Sequence, residues 1–387
     1  MIHNYLYLIL VLAAVEFSVL YLSSHARTKH LFNFLPSMFW IYFLPMVLST
    51  CGVIDAKSPL YQGITRYLLP PALFLLLFNV DFKAISRLGP AALVMFFAGS
   101  FGIMLGMVIS FSIFKPLVGQ QFWGGFGALS ASWTGGSANM VAVKEALNTP
   151  DSVFLPMVIV DTIVPYVWMG ILVALAARQK SFDAWNRSDR RILDDLAKRT
   201  GQFSKQQKQT IQWDKALLIL GSALLVGRLS QVFSVYLPTG KNVLSPYAWT
   251  IIMVTTTAIA LSVTPLSRVP HTGANKFGKW ALYFVLTSIG ARASLNNASQ
   301  VGVLIAAGVL VILIHVAVLL LTARLIRAPL FLVATASLSN IAGLVSAPVV
   351  AEVYQPGFAS VGLLLAILGH TLGAYIGIIT GQICRML

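Results

Sequence analysis

The sequence predicts an all-α polytopic membrane protein made of two inverted-topology repeats, each with about five crossings plus one re-entrant or broken helical hairpin. Three observations lead there. Of 387 residues, 57% are hydrophobic and only 10% charged, more apolar surface than a soluble chain of this size can bury. Apolar runs of about 20 residues recur along the whole length. The two halves also repeat one another around two polar, glycine-bearing stretches, SASWTGGSANM (130–140) and ASLSNIAGLVS (336–346).

Twelve apolar segments can be marked, at 4–23, 31–54, 60–79, 88–114, 121–147, 152–177, 216–237, 245–265, 277–292, 298–323, 328–354 and 358–384. The first follows an uncharged start and lacks a small-residue cleavage pattern, so it reads as a span. The long hydrophilic stretch, 178–215, carries nine basic and four acidic residues between Arg178 and Lys208. By the positive-inside rule it is cytoplasmic. If all twelve segments crossed, Arg27, Lys29, Lys83 and Arg87 would fall outside. The conflict disappears if 121–147 and 328–354 enter and leave on the same side. Each arm of such a hairpin, about 13 residues, is about 20 Å long, enough to pass the middle of the bilayer. The N-terminus is then outside, and the domains are a first repeat (1–177), a basic cytoplasmic linker (178–215) and a second repeat (216–387).

The formal net charge of +15 belongs to loops and anionic lipid headgroups, and no soluble basic face suggests nucleic acid. Cys51 and Cys384 read as small buried residues. No His-Glu-x-x-His, Gly-x-Gly-Asp or convincing Ser/His spacing points to an enzyme, and no nucleotide motif points to ATP drive.

LSASWTGGSANM (129–140) lies over TASLSNIAGLVS (335–346), VAVKEALNTP over PVVAEVYQP, and VDTIVPYVWMG over GHTLGAYIGII. Five crossings per repeat is odd, so the second half enters upside down, as in secondary transporters with broken helices at the midplane. In this reading the second arms begin around Ser137 and Asn340, both good N-caps. Their free N–H groups suit an anion such as a carboxylate. Thr134, Gly135, Gly136, Ser137, Asn139, Ser339, Asn340 and Gly343 are therefore the expected substrate-binding residues. First-arm carbonyls and the hydroxyls of Ser132, Thr134, Ser337 and Ser339 suit a small hard cation such as Na⁺, although small and hydroxyl residues also serve close helix packing. Asp161, beside Thr162, is the leading intramembrane carboxylate, and its repeat partner is His370, beside Thr371. These four, with Ser132 and Ser337, are the expected coupling residues. His315 reads as a satisfied polar contact, and Glu16 with Arg228 as an ion pair that joins the first and seventh segments.

WTGGSANMVAVKEALN followed by DTIVPYVWMG resembles a membrane family known as domain of unknown function 819, over about residue 30 to the end. The segment pattern is also similar to a wider superfamily of sodium–bile acid, sodium–glutamate and 2-hydroxycarboxylate transporters and cation/proton antiporters. The 2-hydroxycarboxylate branch has paired hairpins with glycine-rich tips, which Gly135-Gly136 matches. The second repeat departs, with Asn340 and Ile341 there and Gly343 later. The resemblance implies a cation-coupled, elevator-like transporter of a small solute, with four spans and two hairpins moving against a scaffold, and a homodimer. The expected partners are the lipid bilayer and a carboxylate or peptide-like solute, with Na⁺ or H⁺ as coupling ion and no other cofactor. The expected location is the bacterial inner membrane; a passive channel or a sensor is the alternative.

Overall fold

The computed structural model describes residues 2–25, 28, 32, 37–78, 80–189, 191–200, 212–239, 244–264, 273–292 and 300–387. Arg27, Lys29 and most of 201–215, used above to orient the chain, lie outside them. Among the described residues the protein is helical, with no strand. Helices are numbered α1 (Tyr5–Ser24), α2 (Ser37–Thr50), α3 (Pro59–Leu77), α4 (Phe82–Ser86), α5 (Gly89–Val118), α6 (Trp123–Gly135), α7 (Ser137–Ala146), α8 (Asp151–Leu175), α9 (Gln179–Asn186), α10 (Arg191–Thr200), α11 (Trp213–Phe233), α12 (Pro246–Ser262), α13 (Ala274–Arg292), α14 (Val301–Ile326), α15 (Leu330–Ile341), α16 (Gly343–Tyr354) and α17 (Ala359–Met386).

The protein is an all-α polytopic membrane protein. Six helical stretches are long and apolar enough to cross a bilayer: α1, α5, α8 with α9, α11, α14 and α17. Shorter apolar helices make up α2, α12, α15 and α16. Helices α3 and α13, of 19 residues each, are about 28 Å long. Each dilutes its apolar run, α3 with Gln62 and Arg66 and α13 with Lys276, Lys279 and Arg292.

The chain forms two compact units, one of Met1–Asn79, Thr149–Thr162 and Thr210–Val301, the other of Val80–Asn148, Ile163–Gln209 and Gly302–Leu387. In unit 1, α13 packs on α2 and α3. Gly290 meets the Tyr42 backbone carbonyl, and a Cβ on Gly278 would stand 2.9 Å from Leu75. Ser288 and Thr65 share a hydroxyl hydrogen bond of 3.3 Å. At the end of α13, Arg292 Nε lies 3.4 Å from Asp151 Oδ2, with both side chains largely buried. The expected Glu16–Arg228 ion pair does not form: among the described residues no ion pair engages either side chain. Equivalent positions in a repeat need not meet in space.

Unit 2 holds both broken helices. Its closest packing joins α6 to α17 antiparallel, through Gly127, Ala131 and Gly135 on one side and Gly369, Gly373, Gly377 and Gly381 on the other. A Cβ on Gly373 would sit 2.8 Å from both the Ala131 carbonyl and Gly135 Cα. In lipid, where apolar burial does not drive helix association, such close approach through small residues does. Helices α5 and α14 repeat the device: a Cβ on Gly102 would meet His315 Cα at 3.0 Å, and one on Gly106 would meet the Val311 carbonyl at 3.0 Å. Ser110 donates to the Ala307 carbonyl at 2.9 Å. Phe96, Phe331, Leu338 and Leu365 are fully buried in the apolar core between these helices.

The linker also has structure. Asp183 on α9 accepts from the Leu330 N–H at 2.8 Å, capping α15, whose own N-cap is Pro329 and has no side chain to offer. A carboxylate also suits the positive end of the helix dipole. The buried Asn186 amide donates to the Ala328 and Ala323 carbonyls at 2.8 and 3.2 Å. Arg324 reaches back to the Trp185 carbonyl at 2.9 Å and lies over its ring.

Two outcomes follow. Gly377→Val should cost roughly 1–3 kcal/mol by overpacking, while Gly170→Val, where a Cβ meets nothing within 4 Å, should leave the melting temperature of the purified protein near wild type. Asp183→Ala should cost about 1 kcal/mol by loss of a cap, with the exposed Lys198→Ala as the silent control.

Candidate functional site

Each helical pair in unit 2 breaks at a glycine with a left-handed backbone. Gly136 has φ +82° and Gly343 φ +65°, a conformation that costs an L-residue with a Cβ and that glycine takes freely. The first pair folds back on itself: Leu147, just after α7, lies 2.8 Å from where a Cβ on Gly127 near the start of α6 would stand. In the second pair α15 and α16 likewise pack on each other.

The second break differs from the sequence expectation. The second arm begins at Gly343, and Asn340 sits in the last turn of α15 instead of at an N-cap. The positive φ fixes the break at the glycine. In the first pair, Ser137 is the first helical residue and Gly136 occupies the cap position.

A broken helix leaves carbonyls and N–H groups without intrahelical partners. At the first break the Gly135 carbonyl accepts from His370 Nδ1 at 2.7 Å and from the Asn139 amide at 2.8 Å. Because a carbonyl only accepts, Nδ1 of His370 carries the hydrogen. The Asn139 amide also donates to the His370 carbonyl at 3.0 Å, so the tip is fastened to α17 twice. The Ser132 carbonyl accepts from the Gly136 N–H at 2.6 Å. Thr134 presses its carbonyl onto Gly369, while its hydroxyl is buried with no partner among the described residues, as are Trp133 Nε1 and Thr335 Oγ1.

Near the second break, Asn340 is fully buried. Its amide donates to the Ala336 carbonyl at 2.9 Å and the Phe96 carbonyl at 3.3 Å. Its oxygen accepts from the Ser100 hydroxyl at 2.7 Å. One turn earlier, Ser337 Oγ lies 2.9 Å from both Trp168 Nε1 and His315 Nε2, while His315 Nδ1 lies 2.9 Å from the Gly99 carbonyl. The Gly99 carbonyl places the hydrogen on Nδ1. A neutral ring then accepts at Nε2 from Ser337, whose oxygen accepts from Trp168. Ser339 donates to the Thr335 carbonyl at 2.7 Å and the Gly362 carbonyl at 3.2 Å. Phe96 links the two clusters. Its carbonyl binds Asn340, and its ring would lie 3.3 Å from a Cβ on Gly369, the glycine against which Thr134 packs.

Unit 2 thus brings together Ser132, Thr134, Gly135, Gly136, Ser137, Asn139, Ser337, Ser339, Asn340, Gly343, His370 and Thr371. Thr371 donates to the Leu368 carbonyl at 2.7 Å within its own helix. Asp161 and Thr162 stand on the stretch of α8 that belongs to unit 1, where Thr162 donates to the Val158 carbonyl at 2.8 Å. Sequence reasoning missed Phe96, Gly99, Ser100 and Trp168, while His315 is the satisfied polar contact it was read as. The usable signal was the polar interruption AGSFG in an apolar run.

Chemically, the first turn of α7 offers N–H groups and a positive dipole end, which favour an anion. The Asn and His clasps fix that end in place. Asn340→Ala would remove the side-chain bonds that tie α15 to the Ser100 hydroxyl and the Phe96 carbonyl, while Ser100 keeps its bond to the Phe96 carbonyl at 3.1 Å. The cost is about 1 kcal/mol per lost hydrogen bond. Ser100→Ala alone should cost less, since Asn340 keeps its two donor contacts; denaturation of the two purified variants checks the order.

Comparison with known proteins agrees with a membrane protein. "Uncharacterized membrane protein YjcL" of Bacillus subtilis (strain 168) is 24% identical over 349 residues, covering 87% of this chain and 87% of that protein. The family described as "Protein of unknown function (DUF819)" matches residues 8–387, and the chain belongs to that family.

Proposed function

We propose that the protein is a secondary active transporter. It moves a small anionic organic solute, carboxylate or peptide-like, with Na⁺ or H⁺ by alternating access. The observation that carries this reading is the pair of helix breaks at Gly136 and Gly343, the first clasped by Asn139 and by His370 of α17, the second preceded by the buried Asn340, tied to α5. Interrupted helices within membrane-spanning structure are tolerated where they are buried in protein or line a wet cavity, and they serve transporters as substrate and ion sites.

In this proposal the α7 N-terminus, from Gly136 to Asn139, takes the solute's negative group. In unit 2 the coupling residues are Ser132, Ser337 and Thr371, with His370 at the first tip; in unit 1 they are Asp161 and Thr162. The two sequence repeats are inverted in the membrane, the linker is cytoplasmic and the N-terminus outside, in a bacterial inner membrane. Unit 2, which carries both breaks with α5, α14 and α17, is the elevator-like carrier.

Thermal stability of the purified protein in Na⁺ against K⁺, with a panel of small carboxylates and peptides, tests the site. A ligand of the folded state raises the melting temperature by mass action. A Na⁺-specific rise absent in Asp161→Asn is expected for Na⁺ coupling, and a pH-dependent carboxylate response for H⁺ coupling. Silence under every condition would overturn the transporter reading in favour of a channel or sensor. The inversion has its own test. With Cys51 and Cys384 replaced by serine, Pro150→Cys should label from outside and Pro356→Cys from inside, and labelling of both from one side would refute it.

A further inference from the structure

Glu16 lies near the middle of α1, a helix of 20 residues. The buried positions of α1 are Leu8, Leu12, Glu16 and Val19, a single stripe at helical spacing. Leu6, Leu10, Phe17 and Tyr21 are exposed by half or more on the remaining surface. The carboxylate is therefore on the packed stripe of the helix, and the residue is only 9% exposed.

Helices α2 and α13 pack against α1, and Tyr61 of α3 joins Leu8 and Leu12 in one apolar cluster. Helix α2 carries no charged residue, and its titratable group is Tyr42. Helix α13 carries Lys276, Lys279, Tyr283 and Arg292. Of these, Arg292 is paired with Asp151, and Lys279 Nζ sits 5.4 Å from the centroid of the Tyr283 ring. No hydrogen bond or ion pair engages Glu16 among the described residues, and Arg228, its expected partner, is not joined to it. Nor do three or more His, Cys, Asp or Glu side chains gather anywhere among the described residues to hold a metal. An unpaired carboxylate inside a membrane protein is penalised far more than the neutral acid, and such residues mark ion and proton pathways.

We infer that Glu16 is a proton-binding site, a carboxyl that holds an exchangeable proton within the membrane-spanning helices of unit 1. The site lies wholly within unit 1, so it stands whether or not the transport reading does. If the protein is a transporter, it makes the proton a coupling ion with a place apart from the two helix breaks.

Infrared difference spectroscopy of the full-length protein in lipid tests it, with wild type compared to Glu16→Gln at neutral pH. The glutamine keeps the size of the neutral acid. The expected result is a carboxylic acid C=O band present in wild type and missing from the variant, which fades reversibly as the pH is raised. Loss of carboxylate bands instead, or a band indifferent to pH, would overturn the inference. If the variant does not fold, wild type in native membranes is treated with dicyclohexylcarbodiimide. The carboxylic O–H adds across its C=N bond, and the adduct rearranges to a stable N-acylurea with no group lost. Modification at Glu16, several-fold faster in mildly acidic than in alkaline medium, is expected; an unmodified Glu16 in both would refute the site.

Discussion

The interior arrangement of unit 2 follows from one constraint: a helix interrupted in an apolar medium must find partners for the backbone groups it releases. The first break meets it directly at the Gly135 carbonyl, and the second has an Asn of the same kind tied to a neighbouring helix just before its glycine. At the first, Asn139 follows the glycine and His370 comes from α17. At the second, Asn340 precedes the glycine and its partners come from α5. In both, an Asn amide binds the carbonyl four residues back and a carbonyl on a neighbouring long helix.

Those clasps need close helices, and the glycines supply that closeness. The stripe along α17 lets the α6 backbone approach until Cα and carbonyl atoms touch. The same stripe brings the His370 ring to the Gly135 carbonyl. Gly99 plays the corresponding part on α5, where a Cβ would collide with the Asn340 amide at 2.7 Å and crowd His315 at 3.1 Å. Packing and polar satisfaction are thus one requirement. The small residues that bring helices together also admit the side chains that seal the breaks.

Much of this is legible in the sequence. Composition and the length of apolar runs give the helical membrane class, and the adjacent glycines mark the first break to the residue. The second break was misplaced because Asn340 lies over the first tip in the alignment, whereas backbone conformation selects Gly343. The linker was expected to be a plain connection, since nothing local signals that Asp183 caps a helix about 150 positions away. The Glu16–Arg228 pairing failed because Glu16 lies on the packed stripe of α1 while Arg228 is exposed on α11. Partners such as Ser100 and Trp168 depend on the register between helices far apart in sequence, which the pattern along one helix does not contain.

The central claim is that the two broken tips bind one small anionic solute with its coupling ion. Ligand protection of the tips tests it most directly. In protein free of other cysteines, Ser137→Cys and Leu344→Cys are placed one at a time, and their alkylation rates are measured as Na⁺, pH and a carboxylate panel are varied. The account predicts a condition in which one solute, with Na⁺ or at lowered pH, slows alkylation at both tips together. Rates that respond to no ion and no solute at either tip would contradict it.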